Sequence, residues 1–584
     1  MQDDRGVALV MVIVLGFISV LLLGTALTAA SSGLRQAVTS QRSTSALDAA
    51  FAGVQEYVAR VNADDSYVAY GNALSPFTIA SGSAATVKKP DVYNAAMGAG
   101  GTVASSAPGS SNWKWTAVPG SGGNSRFRYE IDNSAYKTTG TVRLRVTGAA
   151  GDSTRTLLVN LRVRGFVDYS YFTDLEMQDP VTSGDAASCA VRAPRPSSCK
   201  AASVKFLKDD AISGDVHSND LMTICGATFT GRVTTYYTGN PLWSRTGCPT
   251  GTGTTSMTNI SHADELPLPP TNTTMEQDAA CVYVGPTQVT YNPGGTMTVV
   301  SPWTRVTSNA TRCGSVAQLG SPSGATVSQL DHDALYVKAV PLDSSDPNYR
   351  SSADKPANLS CVDANGSTTT AADGIGWQLS SGGATIRYPR TNEVPATIKA
   401  FTSSDQWDTT RPAYGCRSGD LYLQGTVTGQ TTAAAANYVY VTGDVVYADR
   451  TANVLGIVGQ NGVIVWNPMK SYSLDLLNPF RPILTDTNRE IDAAILSTAH
   501  TFSVQNFDRG TQRGVLKVYG SIGQKFRGIV AAQFPDTGYD KSYEYDPLLK
   551  TVSPPKFLAA GSTTFTVSYY AAVAAAFKAD GSNP

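Results

Sequence analysis

The sequence predicts a mostly β protein that carries one long N-terminal α-helix. Residues 7–30 form an apolar run with no charged residue and no proline. Farther along, short stretches alternate apolar and polar residues between turns rich in glycine, serine and threonine, and charged residues make up only 16% of the chain. Alternation with a period of two is typical of half-buried strands. We therefore expect one membrane-length helix followed by many short strands.

The charge balance excludes a global electrostatic attraction to nucleic acid or acidic lipid. Lysine and arginine total 45 residues, and aspartate and glutamate total 46. A nucleic-acid partner would therefore need a local basic surface, and the composition gives no strong signal for one. The length of 584 residues leaves room for several domains.

The apolar run is long enough to cross a bilayer. As a helix it would extend about 36 Å, whereas a hydrocarbon core is about 30 Å thick. The helical pattern continues beyond the run at three- and four-residue steps, and the first proline is Pro76. We expect one helix over residues 7–62, with residues 7–30 as its transmembrane part. The apolar positions of the continuation are Leu34, Ala37, Val38, Leu47, Ala50, Phe51, Val54, Val58 and Val61.

Two simpler interpretations of this N-terminus stay open. A secretory signal peptide has an apolar region of about 7–15 residues after a basic segment. Here the run is longer and Arg5 is the lone base before it, but cleavage after Ala30 would give a mature chain that starts near Ser31. A plain single-span anchor would retain Met1, and it explains the apolar run without explaining the amphipathic continuation.

A short polar segment that ends in Gly6, an apolar start at Val7 and one continuous helix resemble the type IV pilin superfamily, and in particular the PilX-like minor pilins. Ala50-Phe51-Ala52-Gly53 is similar to a small-x-small-Gly turn in PilX-like helices. The resemblance implies that residues 1–6 are a prepilin leader and that prepilin peptidase cleaves between Gly6 and Val7. The helix residues that it implies for assembly are Met11, Phe51, Gly53, Val54, Val58 and Val61.

Met11 departs from the major pilins, which carry a glutamate at this fifth mature position. That carboxylate neutralises the terminal ammonium of a neighbouring subunit in an apolar bundle, where an unpaired charge is costly. A subunit at the filament tip has no neighbour ahead of it. The resemblance therefore implies a minor, tip or initiator subunit that is made as a membrane precursor and reaches the cell surface. Its partners would be other pilin subunits, prepilin peptidase and the assembly machinery, and its head would bind a surface or an extracellular polymer.

Residues 63–165 are predicted to form a pilin-like β head around one hairpin. Val142, Leu144 and Val146 alternate with arginines, and so do Val159, Leu161 and Val163 with Asn160, Arg162 and Arg164. The hairpin would have one apolar face and one basic face. Exposure of the basic face to solvent is favoured over binding of DNA or an anionic polymer.

Four stretches each set a glycine and a small or polar residue before a β-branched or apolar one, with apolar residues alternating about it. These stretches, here called rungs, lie at 212–220, 418–429, 439–449 and 515–530. Such rungs favour a β-solenoid-like domain, which we assign to residues 166–480. Residues 481–584 are assigned to a C-terminal β-rich closing segment.

The stretches at 166–180 and 538–557 resemble parts of large PilX-like proteins of Gram-positive, high-GC bacteria.

The even number of cysteines predicts disulfides in an oxidising compartment rather than a metal site, because no cysteine pair has zinc-ligand spacing. Sequential pairing is one of about 105 connectivities. We expect the disulfides to staple an insertion at residues 181–417. The cysteines are Cys189, Cys199, Cys225, Cys248, Cys281, Cys313, Cys361 and Cys416.

The sequence gives no support for an enzyme. HExxH, GxSxG, GxGxxG and P-loop motifs are absent, and we predict no metal, no cofactor and no catalytic activity. The alternative is a surface-anchored β-helix enzyme that acts on glycans through paired carboxylates. Its candidate residues are Asp209, Asp210, Asp215 and Asp220, although aspartate is also an ordinary turn residue.

Overall fold

The structure, a computed structural model, divides the chain into two compact units. Unit 1 comprises Met1–Tyr136, Thr141–Arg162 and Thr564–Pro584, and unit 2 comprises Lys137–Gly140 and Val163–Thr563. The described residues are 5–88, 94–97, 115–136, 140–163, 165–183, 185–199, 204–208, 210–250, 260–351, 354–362, 368–369, 374–393, 414–472, 479–533, 536–558 and 565–581.

Unit 1 is a long helix packed on an antiparallel sheet. Helix α1 spans Arg5–Ala63, and the short helix α2 spans Pro76–Ala80. The sheet has five strands in the order β1-β2-β3-β4-β35 among the described residues. Its strands are β1 (Thr116–Ala117), β2 (Ser125–Asp132), β3 (Thr141–Ala150), β4 (Ser153–Val163) and β35 (Phe565–Val573).

The predicted hairpin is the centre of this sheet. Strands β3 and β4 pair so that Leu144 lies opposite Val159 and Val142 opposite Leu161, and all four side chains are buried. The period-two pattern therefore identified both the strands and their buried face. Arg164 lies outside the described residues.

The second half of α1 lies very close to the sheet, because Gly53 of the helix faces β3 and Gly148 of β3 faces the helix. A Cβ on Gly148 of β3 would lie 2.0 Å from the carbonyl oxygen of Ala46, and a Cβ on Gly53 would lie 2.7 Å from Cγ1 of Val146. Neither position has room for a side chain without displacement of its neighbour. The helix residues buried in this contact are Ala46, Ala49, Ala50, Val54, Tyr57 and Val61.

The two β3 arginines on the outer face of the hairpin are ion-paired within unit 1. Arg145 lies 2.5 Å from Glu130, and Arg143 lies 3.4 Å from Asp132. Both guanidinium groups also lie over the ring of Phe77 in α2, at 4.8 Å for Arg145 and 5.5 Å for Arg143. The β3 part of the predicted basic face is thus ion-paired with β2 and partly covered by α2.

Unit 2 is a large β-rich region with a few short helices. The helices are α3 (Pro180–Ser183), α4 (Thr274–Asp278), α5 (Ala310–Cys313) and α6 (Val316–Leu319). The strands are β5 (Tyr171–Leu175), β6 (Lys205–Leu207), β7 (Ala211–Ser213), β8 (Val216–Ser218), β9 (Met222–Cys225), β10 (Thr228–Phe229), β11 (Val233–Thr235), β12 (Trp243–Ser244), β13 (Ile260–His262), β14 (Cys281–Val284), β15 (Thr287–Asn292), β16 (Thr296–Val300), β17 (Ala325–Ser328), β18 (Asp333–Lys338), β19 (Leu359–Val362), β20 (Thr368–Thr369), β21 (Trp377–Ser381), β22 (Ala384–Tyr388), β23 (Leu421–Val427), β24 (Gln430–Ala435), β25 (Tyr438–Tyr447), β26 (Val454–Gly459), β27 (Gly462–Val465), β28 (Met469–Ser471), β29 (Phe480–Pro482), β30 (Arg489–Ser497), β31 (Thr501–Val504), β32 (Gln512–Phe526), β33 (Ala531–Gln533) and β34 (Asp536–Tyr545).

Parallel pairing joins many of these strands into three ladders. The first ladder runs β13-β11-β8-β5-β32-β30-β26-β24-β18-β14, the second β10-β7-β34-β32-β30-β25-β23-β15, and the third β31-β27-β25-β23-β15. Because the strands are in register, side chains of one type stack along each ladder and fill the core. One such stacked column of the first ladder is Ile260, Val233, Val216, Tyr171, Ile522, Ile495, Ile457, Ala433, Leu335 and Cys281.

Glycines lie where a strand passes from one ladder to the next. Gly425 of β23 and Gly520 of β32 have φ values of +113° and +153°. A Cβ at these positions would lie 2.0 Å from the carbonyl oxygen of Tyr291 and 1.9 Å from that of Ala493, respectively. The backbone of the neighbouring rung therefore excludes any side chain at these corners.

The predicted rungs all fall on ladder strands. Within 181–417, strands β7, β8, β10, β11, β13, β14, β15 and β18 pair in the same ladders as the strands that follow, whereas β6, β9 and β12 form a separate three-stranded sheet and β19–β22 a separate four-stranded sheet. The last strand, β35, belongs to the sheet of unit 1 and not to a closing segment of unit 2. A closed β-solenoid coil and the domain boundaries at 165 and 480 stay predictions.

The tight contact at Gly53 gives a matched test within one helix. We expect Gly53→Ala to destabilise unit 1 by about 1–3 kcal/mol, because the new methyl group overpacks against Val146. Gly33→Ala places the same methyl group where nothing lies within 4 Å, so it should be neutral or stabilise the helix by up to about 1 kcal/mol. Hydrogen exchange of β3 peptides in the full chain measures both effects. Equal protection in the two variants would contradict the close packing.

Candidate functional site

The first part of α1 is an exposed apolar surface. Large apolar side chains from Leu9 to Leu27 are 46–71% exposed. Over Ala8–Ala63, the helix is long and apolar enough to cross a membrane by length and composition, with a mean hydropathy of 2.7 in its most apolar window. Leaving one such side chain in water forgoes about 1.5–3 kcal/mol of burial. This segment therefore needs an apolar environment that its own chain does not supply.

Polar groups in this segment are already satisfied by the helix. The hydroxyl of Ser19 donates to the carbonyl oxygen of Leu15 at 2.7 Å, and that of Thr28 donates to Thr25 at 2.9 Å. The hydroxyl of Ser32 donates to Ala29 at 2.9 Å. Hydroxyls bonded to the preceding turn remain compatible with lipid or with neighbouring helices.

The helix residues predicted for assembly fall into two groups. Met11 lies on the exposed segment and is 65% exposed, and Phe51 is 38% exposed with an edge contact to Tyr570 of β35 at 5.9 Å.

Gly53, Val54 and Val61 are buried against the sheet of the same chain, and Val58 is half-buried. In this conformation these residues pack within their own chain, and their role in assembly stays a prediction. Gly6 and Val7 lie within α1, and the described side chains begin after them.

A buried polar cluster fixes the end of α1, and it was not anticipated from the sequence. The hydroxyl of Tyr129 donates to Glu56 at 2.8 Å, and Asn94 donates to the hydroxyls of Tyr67 at 2.6 Å and Tyr129 at 2.7 Å. Burial, reinforced by the charge of Glu56, raises the pKa of Tyr129, so this hydroxyl keeps its proton. The cluster holds the C-terminal end of α1 against the sheet of unit 1.

In unit 2, the disulfides follow the sequential connectivity. The pairs are Cys189–Cys199, Cys225–Cys248, Cys281–Cys313 and Cys361–Cys416, and they close loops of 10, 23, 32 and 55 residues. Within the part of the chain that the structure describes, no cysteine is free and no group of three or more His, Cys, Asp or Glu could hold a metal ion. The bridges restrict long connections between the ladder strands.

The carboxylates of the enzyme alternative are each engaged in a separate ion pair. Asp210 lies 2.8 Å from Lys541, Asp215 lies 2.6 Å from Arg232, and Asp220 pairs with Arg195. Asp209 lies outside the described residues. Glycoside hydrolysis needs two carboxyl groups that flank a shared space. Each of these three carboxylates instead faces a cation of its own.

Two cavities lie in unit 2. One of about 560 Å³ surrounds Lys338, whose ammonium lies 2.9 Å from Glu276 and 2.6 Å from Asp346. The other, of about 660 Å³, is lined by Tyr237, Trp243 and polar residues of the loop closed by Cys225–Cys248. Neither lining includes Asp210, Asp215 or Asp220.

An aromatic cluster beside the third ladder encloses a buried carboxyl group. Asp420 is fully buried, and it accepts hydrogen bonds from the side-chain amide of Asn437 at 2.7 Å and from the backbone of Tyr438 at 3.2 Å. Burial raises the pKa of Asp420 to about 8. Trp407, one of the tryptophans in this part of the sequence, lies outside the described residues. The cluster comprises Trp303, Trp377, Tyr388, Tyr414, Tyr422, Tyr438, Tyr440 and Trp466.

Comparison with known proteins leaves the family open. No protein-family model matches the chain, and no curated protein matches it. Among solved structures, it is similar to the crystal structure of the competence-associated pilin ComZ from Thermus thermophilus, with 12% identity over 91% of this chain and 98% of that chain. The TM-score is 0.27. A likeness at this level carries no argument about the fold or the function of this chain.

The pKa of Asp420 predicts how unit 2 responds to pH. Because this carboxyl group binds a proton more tightly when folded than when unfolded, its burial costs little below about pH 4 and increasingly more up to about pH 8. We expect the wild type to lose stability over this interval and Asp420→Asn to lose markedly less. Guanidinium unfolding followed by tryptophan fluorescence measures the difference. Asp508→Asn, at an exposed turn residue, is the control, and identical pH profiles for all three proteins would contradict the assignment.

Proposed function

We propose that the protein is a minor subunit of a type IV pilus-like filament. The observation that carries the proposal is the division of α1 into an exposed apolar segment and a second half packed on an antiparallel sheet. In a filament, the exposed segments of many subunits would bury one another's apolar surface. Before assembly, the bilayer would serve the same purpose, which makes the precursor a membrane protein and the assembled subunit a surface protein.

The proposal includes processing by prepilin peptidase between Gly6 and Val7. The polar leader at residues 1–6 would keep the apolar segment at the membrane edge until it is removed. The new terminus would then carry an ammonium group at the head of the helix. Other pilin subunits, the peptidase and the assembly machinery are the partners that follow from this route.

We further propose a position at the tip, as an initiator of assembly. Met11 offers no carboxylate for the terminal ammonium of a neighbour, and a subunit without a neighbour ahead of it needs none. Unit 2 would be the exposed head that primes assembly and binds a surface, another cell or an extracellular polymer. Its disulfides and its ladders suit a domain outside the cell. The assignment to the PilX-like branch of the superfamily belongs to the same proposal.

Processing can be tested on the protein from its own cells. N-terminal sequencing should give a chain that begins at Val7 and whose appearance depends on prepilin peptidase. Gly6→Leu should leave the leader attached, because a bulky residue replaces the glycine at the cleavage site, whereas Gly16→Ala within the helix should be processed normally. A chain that begins near Ser31 would instead support a secreted adhesin, and an intact Met1 in the wild type would support a plain anchor.

The tip position makes a separate prediction about where the protein lies on the filament and how many filaments form. Immunogold labelling with antibodies against unit 2 should mark one end of each filament, and deletion of the gene should lower the number of filaments several-fold. Complementation with the wild-type gene should restore that number, and complementation with Gly6→Leu should not. Labels spread along the shaft would assign the protein to the shaft, and normal filament numbers in the deletion strain would remove the initiator role.

A further inference from the structure

Lys541 and Asp210 lie opposite each other on adjacent rungs of the second ladder. Lys541 is on β34, Asp210 immediately precedes β7, and the parallel register pairs Ser542 with Ala211. The ammonium nitrogen of Lys541 lies 2.8 Å from Oδ1 and 2.9 Å from Oδ2 of Asp210. The two residues are 331 positions apart in the sequence. The nitrogen therefore faces the carboxyl carbon almost symmetrically between its two oxygens.

The pair is largely shielded from water. The side chains of Lys541 and Asp210 are only 18% and 10% exposed. Phe206 of the core cluster lies nearby, and so does the buried Arg527, which lies over the ring of Phe206 and 3.0 Å from Glu176. Burial and the positive charge of Arg527 lower the pKa of Lys541, which favours the neutral amine.

We propose that Lys541 and Asp210 form an intramolecular isopeptide bond between Nζ and Cγ, which joins β34 and β7 covalently. The residues are already held at contact distance by the ladder, so the reaction is unimolecular and gains the advantage of a high effective concentration. The inference concerns unit 2 alone and does not depend on the proposed pilin function.

The reaction balances without an oxidant, a reductant or a further reactant. A proton passes from Nζ to Oδ1, which gives a neutral amine and a neutral carboxylic acid. The nitrogen lone pair then attacks Cγ, and negative charge develops on Oδ2. The backbone N–H of Leu207 donates to Oδ2 at 2.9 Å and stabilises that charge. The nitrogen gives a second proton to the Oδ1 hydroxyl, the Cγ–Oδ1 bond breaks, and one water molecule leaves.

Another buried lysine provides a contrast within the same unit. Lys338 is 16% exposed and contacts two carboxylates, Glu276 and Asp346. Burial acts to lower its pKa, but the hydrogen bonds to both carboxylates leave the pKa above the ordinary value. At Lys541, burial lowers the pKa and outweighs the attraction of Asp210. Amide formation needs a neutral amine, so Lys541 is the reactive member of this comparison and Lys338 the unreactive one.

Peptide mapping of the full chain tests the bond directly. After reduction and alkylation of the disulfides, which opens Cys225–Cys248, trypsin should release residues 209–232 joined to residues 528–550, because a modified Lys541 is no longer cleaved. The mass of this branched peptide should be the sum of its two parts less about 18 Da, the mass of one water. Recovery of residues 209–232 and 528–541 as separate peptides from the wild type would overturn the proposal.

Matched variants separate the bond from a simple ion pair. Lys541→Arg keeps the positive charge beside Asp210 but should abolish the branched peptide and restore the mass of the lost water. Asp210→Ala should do the same. Lys338→Arg should leave the branched peptide unchanged. A branched peptide that persists in Lys541→Arg would assign the link to other residues and would also overturn the proposal.

Discussion

The in-register stacking of parallel strands is the interaction on which most of this chain depends. Each rung satisfies its backbone hydrogen bonds only through the rungs on either side, and each inward aliphatic side chain is covered only by its counterparts in the column. The columns contain small and large members, from Ala433 to Tyr171. The corners are less tolerant, since Gly425 and Gly520 bring one backbone against the next. The disulfides and the buried ion pairs then refine an arrangement that the ladders have already set.

Unit 1 differs because it holds a helix that is apolar and exposed over much of its length. The sheet holds only the second half of α1, through the close approach at Gly53 and Gly148 and through the polar cluster around Glu56 and Tyr129. The exposed first half of α1 is stabilised by the hydrogen bonds within the helix itself. A helix divided in this way links a folded head to an apolar environment, which is the physical basis of the proposed assembly.

Local patterns predicted the parts of the fold that are local in sequence. The β3–β4 hairpin followed from the alternation of valines and leucines with arginines, and the long helix followed from its apolar spacing. The partners of those arginines, Glu130 and Asp132, lie on a neighbouring strand whose register the pattern does not contain. The predicted rungs fell on strands, but the ladders pair residues that are hundreds of positions apart.

The predicted site residues show the same limit, because a local pattern does not contain their distant partners. Asp210, Asp215 and Asp220 look like a local acidic group, yet the partner of Asp210 is Lys541 near the other end of the chain. Gly53, Val54 and Val61 lie on the apolar stripe of the helix, but a stripe does not say whether it faces its own sheet or another subunit. The burial of Asp420 depends on aromatic residues contributed by several strands and loops, and the single residue carries no signal of it.

The position of β35 has a consequence for biosynthesis. The sheet of unit 1 begins with strands made early and acquires its edge strand only from residues 565–573, after the whole of unit 2 has been translated. A nascent chain can therefore insert its apolar helix and form the β3–β4 hairpin long before this sheet is complete. Any premature stop within unit 2 leaves β4 with an unpaired edge, which can pair with a strand of another chain. Completion of the sheet of unit 1 thus requires translation of the chain through residues 565–573.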